Sequence, residues 1–600
     1  MEGQRSAGQR SAGSSSKRKS GGRGSSTEHG FLAEMGLGCG PNTWKTTTVC
    51  VCFFIGITIM VTAWMDTCVP FCGAKEKKSG LWKDAWKNQT IPSDMQSSMD
   101  TSVDPCDDFY KFACGGFIDN TGIKPDQAGN DDGGRAAGDV VVQVEWAKAW
   151  DGVESRISKE LRSAVEKDTG KAGTFFRACM DTKTIESLGA TPLKPYLDMI
   201  DGINTHDDLV AAIAKLQKIS VAVYFDWQVM ADPTDPTRYV FAILDSGLTL
   251  PDAKMYTDSS PEFEKIRRQY KKVVERVLQL TGLNPAKAAA ADALSVETAI
   301  AKHTLPDDLL RTAKAKHYNM ADLNKLAPKL GFPTIIKLMG GPHVGKTTDN
   351  ILCKDSQFLE GLSSIMSSPT FWAHKAYLRF KVAYGLGSDL SSEFLKQGLE
   401  VGHILTGVMH ETPRWRKCYD STKSNLPDEV AKIFVKKYLP KQNIDVAEEM
   451  LQSIRLQFKK VMANEDWMEP ATRKLAIQKL DNMFIQVGHG KWQDYDFAVT
   501  EHSFLNNTNN AKRWIIQRAI ERLAKPVDRE RWGSMDPTQV DGSYARQVNG
   551  VFVPGDLLQL DALLRQREAT LLYRSSVGFI IGPLQEANLV QKCLGHLWIC

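Results

Sequence analysis

Asp104-Pro105-Cys106-Asp107-Asp108-Phe109-Tyr110-Lys111-Phe112-Ala113-Cys114-Gly115-Gly116-Phe117 is the most specific stretch of this chain. Asp104 and Pro105 read as the cap of a short helix, Phe109 shares a face with Phe112 or Ala113, and Gly115-Gly116 is placed to stop it. Taken alone, that is a capped amphipathic turn. Its weight comes from what lies on either side.

On the N-terminal side, residues 66–100 read as a juxtamembrane linker, and Thr46 to Met65 is twenty residues without a charge. At 1.5 Å per residue such a helix spans the ~30 Å hydrocarbon layer. The run is long and starts far from Met1, which favours an uncleaved signal-anchor over a cleaved signal peptide. Residues 1–45 are rich in Gly, Ser, Lys and Arg and bury too little apolar surface to offset the entropy of ordering, so they read as a disordered cytoplasmic tail. Lys75, Lys77, Lys78 and Lys83 beyond the span oppose this orientation. The basic tail and the region after the span support it. Past the span lie two Asn-x-Thr acceptors, Asn88 and Asn506, and Cys68 and Cys72, which an oxidising compartment would allow to pair. The expectation is a single-pass type II membrane protein with a glycosylated extracellular or lumenal ectodomain.

On the C-terminal side the pattern is mostly helical. Ala447, Met450, Leu451, Ile454 and Phe458 recur at three- and four-residue steps, and Pro470 suits the first turn of a following helix over Ala471 to Met483. Lys and Arg total 75 against 71 Asp and Glu, a net +4 spread along 600 residues, so nothing argues for a nucleic-acid partner. Further marked stretches are Arg177-Ala178-Cys179-Met180-Asp181, Gly247-Leu248-Thr249-Leu250-Pro251, Pro413-Arg414-Trp415-Arg416-Lys417-Cys418, and Asp466-Trp467-Met468 with Thr472, Arg473, Ala476 and Lys479.

With the opening motif, these stretches closely resemble the neprilysin and endothelin-converting-enzyme family of membrane zinc metalloendopeptidases over roughly residues 101 to 582. The resemblance implies a mainly α fold. It would be a large multi-helical peptidase ectodomain over residues 101–525, followed by a small β-hairpin start of a thermolysin-like catalytic domain over 526–582, all preceded by the one transmembrane helix. It also implies peptide substrates, and a disulfide between Cys179 and Cys418. The family partners of Cys106 and Cys114 would lie beyond the point where the resemblance ends.

The region from Val540 to Gly582 carries the chemistry in that family. Val540 to Tyr544 and Val551 to Val553 are rich in β-formers, and Asn549-Gly550 signals a hairpin, giving an edge ribbon. By position, Asp541 and Gly542 replace the Asn-Ala pair with which the family binds substrate backbone by strand addition. Asp541 keeps an acceptor but loses the amide donor and adds charge. An ordinary hairpin edge is the equal alternative. Ser575 to Gly582 then reads as the start of a buried helix.

In the family, His-Glu-x-x-His follows at once, supplying two zinc ligands on one helical face and a Glu that activates water. Here Pro583-Leu584-Gln585-Glu586-Ala587 stands in its place, and His596 is the one His of the divergent tail 583–600. The expectation is therefore no catalytic residue, no metal ligand and no zinc bound by this chain. The resemblance stops at one residue rather than fading, which reads as a truncation by an alternative exon, a retained intron or a frame error. Two function classes remain: a membrane metalloendopeptidase inactive in this form, or a catalytically dead peptide-binding or interaction ectodomain.

Two other patterns are set aside. Gly340 to Thr347 fits the phosphate-loop pattern, with Thr334-Ile335-Ile336 as a candidate strand before it, but no helix opening follows, so no nucleotide is expected. His403 and His410, seven apart, share a helical face without visible partners for a metal.

Overall fold

A computed structural model describes residues 99–120, 158–340, 350–368, 370–407, 411–532, 535–539 and 542–560. The anchor at 46–65, Asn88, the phosphate-loop pattern from 341 onward, His410, Asp541 and everything from 561 lie outside them. No described helix is long and apolar enough to cross a membrane.

The described chain is mainly helical, with two small sheets. Its principal helices are α1 Phe109–Asn120, α2 Lys171–Met180, α3 Pro261–Leu280, α4 Ala286–Ala301, α5 Phe332–Gly340, α6 Trp372–Gly385, α7 Ser392–Thr406, α8 Arg414–Asn425, α9 Lys441–Asn464, α10 Pro470–Asp481 and α11 Phe504–Arg522. The periodic run around Ala447 is α9, which turns Ala447 and Leu451 fully inward. Pro470 sits in the first turn of α10 as expected, where its missing N–H has no helical acceptor to lose.

The opening motif forms its helix with different punctuation. Asp104 builds a turn, accepting from Cys106 N at 2.8 Å, while the cap of α1 is Asp108, whose Oδ1 accepts from Lys111 N at 2.9 Å. Gly115-Gly116 does not stop the helix, which runs on to Asn120. Gly115 serves close approach instead: a Cβ there would meet Asp100 Cβ at 2.7 Å, beside the Asp100 N to Phe112 O hydrogen bond.

Two apolar cores are interleaved along the chain. The first runs from Leu193 to Val401 and takes in α3 to α6 with one sheet, returning through Leu505, Ile520 and Leu523 of the 504–523 region. That sheet has the order β1-β2-β4-β3, with β1 Phe225–Ala231, β2 Tyr239–Asp245, β3 Lys316–Tyr318 and β4 Ile351–Cys353. The second core gathers Leu161 to Ile185, Cys418 to Phe504 and Val551 to Leu558, so the 551–558 segment packs on segments from far earlier in the chain. Cys179 of α2 and Cys418 of α8, both fully buried, are joined across a sequence separation of 239.

Thr334-Ile335-Ile336 is helical, part of α5, rather than a strand. Ile335, Ile336 and Met339 all turn into the first core, a three- and four-residue period that only a helix supplies. The segment that fits the phosphate loop thus connects a helix to strand β4, the reverse of strand, loop and helix.

The Gly247-to-Pro251 motif is a loop pinned from four sides. Tyr377 Oη donates to Gly247 O at 2.8 Å, Lys381 Nζ donates to Leu248 O at 3.1 Å, and Tyr256 Oη accepts from Thr249 N and Leu250 N. Glu297, 1% exposed, accepts from Thr249 Oγ1 at 2.7 Å and Tyr270 Oη at 2.8 Å. Gly247 has φ +101°, and a Cβ there would meet Tyr224 O at 2.9 Å, so its backbone must pass where no side chain fits.

Candidate functional site

The hairpin expected around Asn549-Gly550 is present. β6 Ser543–Ala545 pairs antiparallel with β7 Gly550–Pro554, in the register Ser543 with Phe552, Tyr544 with Val551 and Ala545 with Gly550. Asn549 closes the connection at φ +48°, a left-handed conformation that Asn tolerates. The ribbon is not an edge on both sides. β5 Phe484–Gly488 runs parallel along the far side of β7, so β7 is the central strand, with β5 and β6 on its two sides.

This order follows from the sequence of β7. Gly550 to Pro554 are all buried, and a strand enclosed on both faces needs a partner on both edges. Val551, Val553 and Val487 enter the second core, with Ile485 and Tyr544 packed against it. Phe552 points the other way, 6.3 Å from the ring of Phe484 and 6.0 Å from that of Trp532.

The hairpin is fixed to the end of α10. Asn549 Nδ2 donates to Lys479 O at 2.8 Å, Tyr544 Oη donates to Asn549 Oδ1 at 2.9 Å, and Lys479 Nζ lies 5.6 Å from the centre of the Tyr544 ring. Arg529 spans the same junction, with Nε to Val548 O at 2.9 Å and Nη2 to Asn482 O at 2.8 Å. Lys479, in the motif after Asp466, seats the ribbon. Among the described residues β6 has β7 as its one strand partner, so its outer edge presents backbone groups that an extended peptide can pair with. Gly542, half-buried, leads directly into β6.

Among the described residues no three His, Cys, Asp or Glu side chains group to hold a metal. His403 lies in the last turn of α7, and Gly407, at φ +73°, ends that helix before position 410. The shared helical face expected for His403 and His410 is therefore lost. His489, at the end of β5, stacks on Trp492 with ring centres 4.6 Å apart. Asn506 is exposed on the first turn of α11, whereas Thr508 of the same acceptor is buried and donates to Phe504 O at 3.3 Å.

The model of peptidase family M13 matches residues 105–490. The chain belongs to peptidase family M13. It is homologous to human endothelin-converting enzyme-like 1, 25% identical over 500 residues that cover 78% of this chain and 62% of that protein. It is 24% identical to endothelin-converting enzyme 1 of Cavia porcellus over 521 residues, 82% of this chain and 66% of that one. The M13 chain thus spans about three fifths to two thirds of the length of these relatives. In fold it is similar to the zinc metalloprotease Zmp1 of Mycobacterium tuberculosis, with TM-score 0.67, 21% identity, and coverage of 77% of this chain and 69% of that chain. PepO from Lactobacillus rhamnosis is similar at TM-score 0.63 and 17% identity, covering 76% and 71%.

The M13 family is zinc-dependent, and the five residues after Gly582 do not match the family's zinc ligands. The described residues supply no ligand group, and the segment after Gly582, where the motif resemblance puts two His and a Glu, offers Pro583, Leu584 and Gln585 and then a single carboxylate at Glu586.

Proposed function

We propose that this M13 chain is a neprilysin-like membrane ectodomain that holds extended peptides along the outer edge of β6 and, in its 600-residue form, does not hydrolyse them. The observation that carries the reading is the outer position of β6 beside the fully buried β7, in a hairpin seated on α10. Main-chain pairing on such an edge gives affinity without side-chain chemistry. Asp541 and Gly542 stand where the family grips substrate backbone, so selectivity there shifts toward peptide N–H donors and positive charge. Hydrolysis needs a metal-bound water and a base; no metal-holding group occurs among the described residues, and Pro583 to Ala587 stand where the family resemblance puts His-Glu-x-x-His, which supports the inactive reading.

The 46–65 anchor and the outward ectodomain belong to the same proposal, and the pairing of Cys179 with Cys418 supports an oxidising compartment. Calorimetry with a set of ten-residue peptides tests it, in parallel with product analysis in zinc-containing buffer. Saturable binding weakened by Tyr544→Pro, with no cleavage, is the expected result. Pro at 544 removes a backbone donor and disturbs β6. Zinc-dependent cleavage that is lost on chelation overturns the inactive reading, and binding indifferent to Tyr544→Pro overturns the edge.

A further inference from the structure

Helix α9 carries an uncharged row of side chains that its packing on the second core leaves exposed. We propose that residues 561–574 of this chain form a helix that lies along that row, parallel to α9.

Val446, Met450, Ser453, Gln457 and Val461 follow one another at three- and four-residue steps, so they form one row along most of α9. On one side the row borders Ala447, Leu451, Ile454 and Phe458, which enter or pack against the second core. On the other it borders Glu449, Leu456 and Lys460, and every charged side chain of α9 lies outside it. Val446 is nevertheless 51% exposed, Val461 50% and the bordering Leu456 59%. A surface helix keeps its uncharged arc for the face that it packs. Here that arc is wider than the core beneath it takes up: of the 24 residues of α9, Ala447 and Leu451 are the buried ones.

The chain itself supplies the occupant. It reaches Leu560 through the short turn Leu557–Leu560, which lies beside the first turn of α9, where Asn443 Nδ2 donates to Leu558 O at 3.5 Å. Asn443 stands one turn before Val446 in the same row. Residues 561–577 contain neither Gly nor Pro, and Leu564 and Leu571, seven apart, share a helical face. As a helix, 561–574 extends about 21 Å, against about 22 Å from Val446 to Val461. Run parallel from Asn443, it brings Arg565 level with Glu449 and Leu572 level with Leu456. A second molecule fits the row less well. Three half-exposed side chains strung along one helix fall far short of the ~800 Å² per partner of a stable interface. A tethered segment needs less, because it loses no translational freedom on docking. The packing is independent of the peptide-binding reading, since β6 takes no part in it.

The test is hydrogen–deuterium exchange of the full chain in detergent micelles, read by mass spectrometry on peptides from 561–574 and from α9, with α4 in the first core reporting that each variant is folded. Both regions should be protected in wild type. Val461→Asp, a change at an exposed position, should speed exchange across 561–574 at least about tenfold, as expected when a local opening equilibrium shifts. Glu449→Arg should speed it as well, and adding Arg565→Glu should restore the wild-type rate. Exchange of wild-type 561–574 at the rate of an unfolded peptide overturns the proposal, as does protection indifferent to both Val461→Asp and Glu449→Arg. Protection of α9 that falls on dilution of the protein gives the row to a second copy and overturns it too.

Discussion

Removing the Cys179–Cys418 link measures how far the second core depends on a covalent closure. Both residues are fully buried, in α2 and α8, and the bond closes a loop of sequence separation 239. In the chain-entropy model a loop of that size contributes about 5 kcal/mol by restricting the unfolded state. The perturbation is the double variant Cys179→Ala, Cys418→Ala, which avoids a buried unpaired thiol. For roughly 400 cooperatively folding residues, about 5 kcal/mol corresponds to a fall of about 6 °C in the unfolding midpoint. Neighbouring contacts should survive, because Arg414 bonds the carbonyl of residue 179 and not its side chain. Circular dichroism of the variant and of wild type with and without reductant is the assay, and reduced wild type should unfold close to the double variant. A fall under about 2 °C, or a reductant effect absent in wild type, refutes the argument that this closure carries the stability.

Burial, with Asp355 beside it, raises the Asp245 carboxyl to about 7. The unfolded chain, titrating near 3.8, ionises first, so the contribution of Asp245 is fully present below that value and is lost as pH rises from about 4 to about 7. Asp245→Asn should therefore raise the unfolding midpoint at pH 8 and flatten its decline over that window, and an unchanged pH profile refutes the assignment. Glu297→Gln leaves Lys381, whose Nζ lies 4.0 Å away, buried without a counter-charge, and should cost about 3 to 5 kcal/mol in urea unfolding. A loss below about 1 kcal/mol, or no recovery when Lys381→Met is added, sinks the pairing. At Asn506 a glycan must be attached before α11 folds, since the Thr508 hydroxyl is buried afterwards. Asn506→Gln should lower the apparent mass of protein made in a secretory pathway and leave that of protein made without one unchanged; equal mobility of wild type and variant in both rules the modification out.

What the sequence makes legible is local. The period of α9, Pro470 at the start of α10 and Asn549 before β7 each act within a few residues, and each appears in the structure as read. Two readings fail at the next scale. Thr334-Ile335-Ile336 is β-branched and short, so its composition favours a strand, but burial of Ile335, Ile336 and Met339 against the first core makes it helical. Gly115-Gly116 has the form of a stop signal, yet the pair lies mid-helix because Asp100 packs against it. The meaning of Gly247 to Pro251 is not recoverable from its own residues at all. Glu297, Tyr377 and Lys381, which pin it, stand 48, 130 and 133 positions from their partners. β5 is hidden for the same reason, since a parallel partner leaves no turn signal to mark the pairing of Phe484 with Gly550.

The proposed separation of binding from hydrolysis rests on how β6 is held. β6 is positioned by β7 through the hairpin, by α10 through Asn549 and Lys479, and by Arg529 through the carbonyls of Val548 and Asn482. Each of these supports lies between residues 470 and 554, and the second core beneath them is completed by α2 and α8. None of them draws on the segment after Gly582. If the proposed reading holds, peptide affinity should track substitutions at Asn549 and Arg529 and should not track zinc. Affinity that rises with zinc in this chain would show that the edge is completed by residues beyond 582 after all.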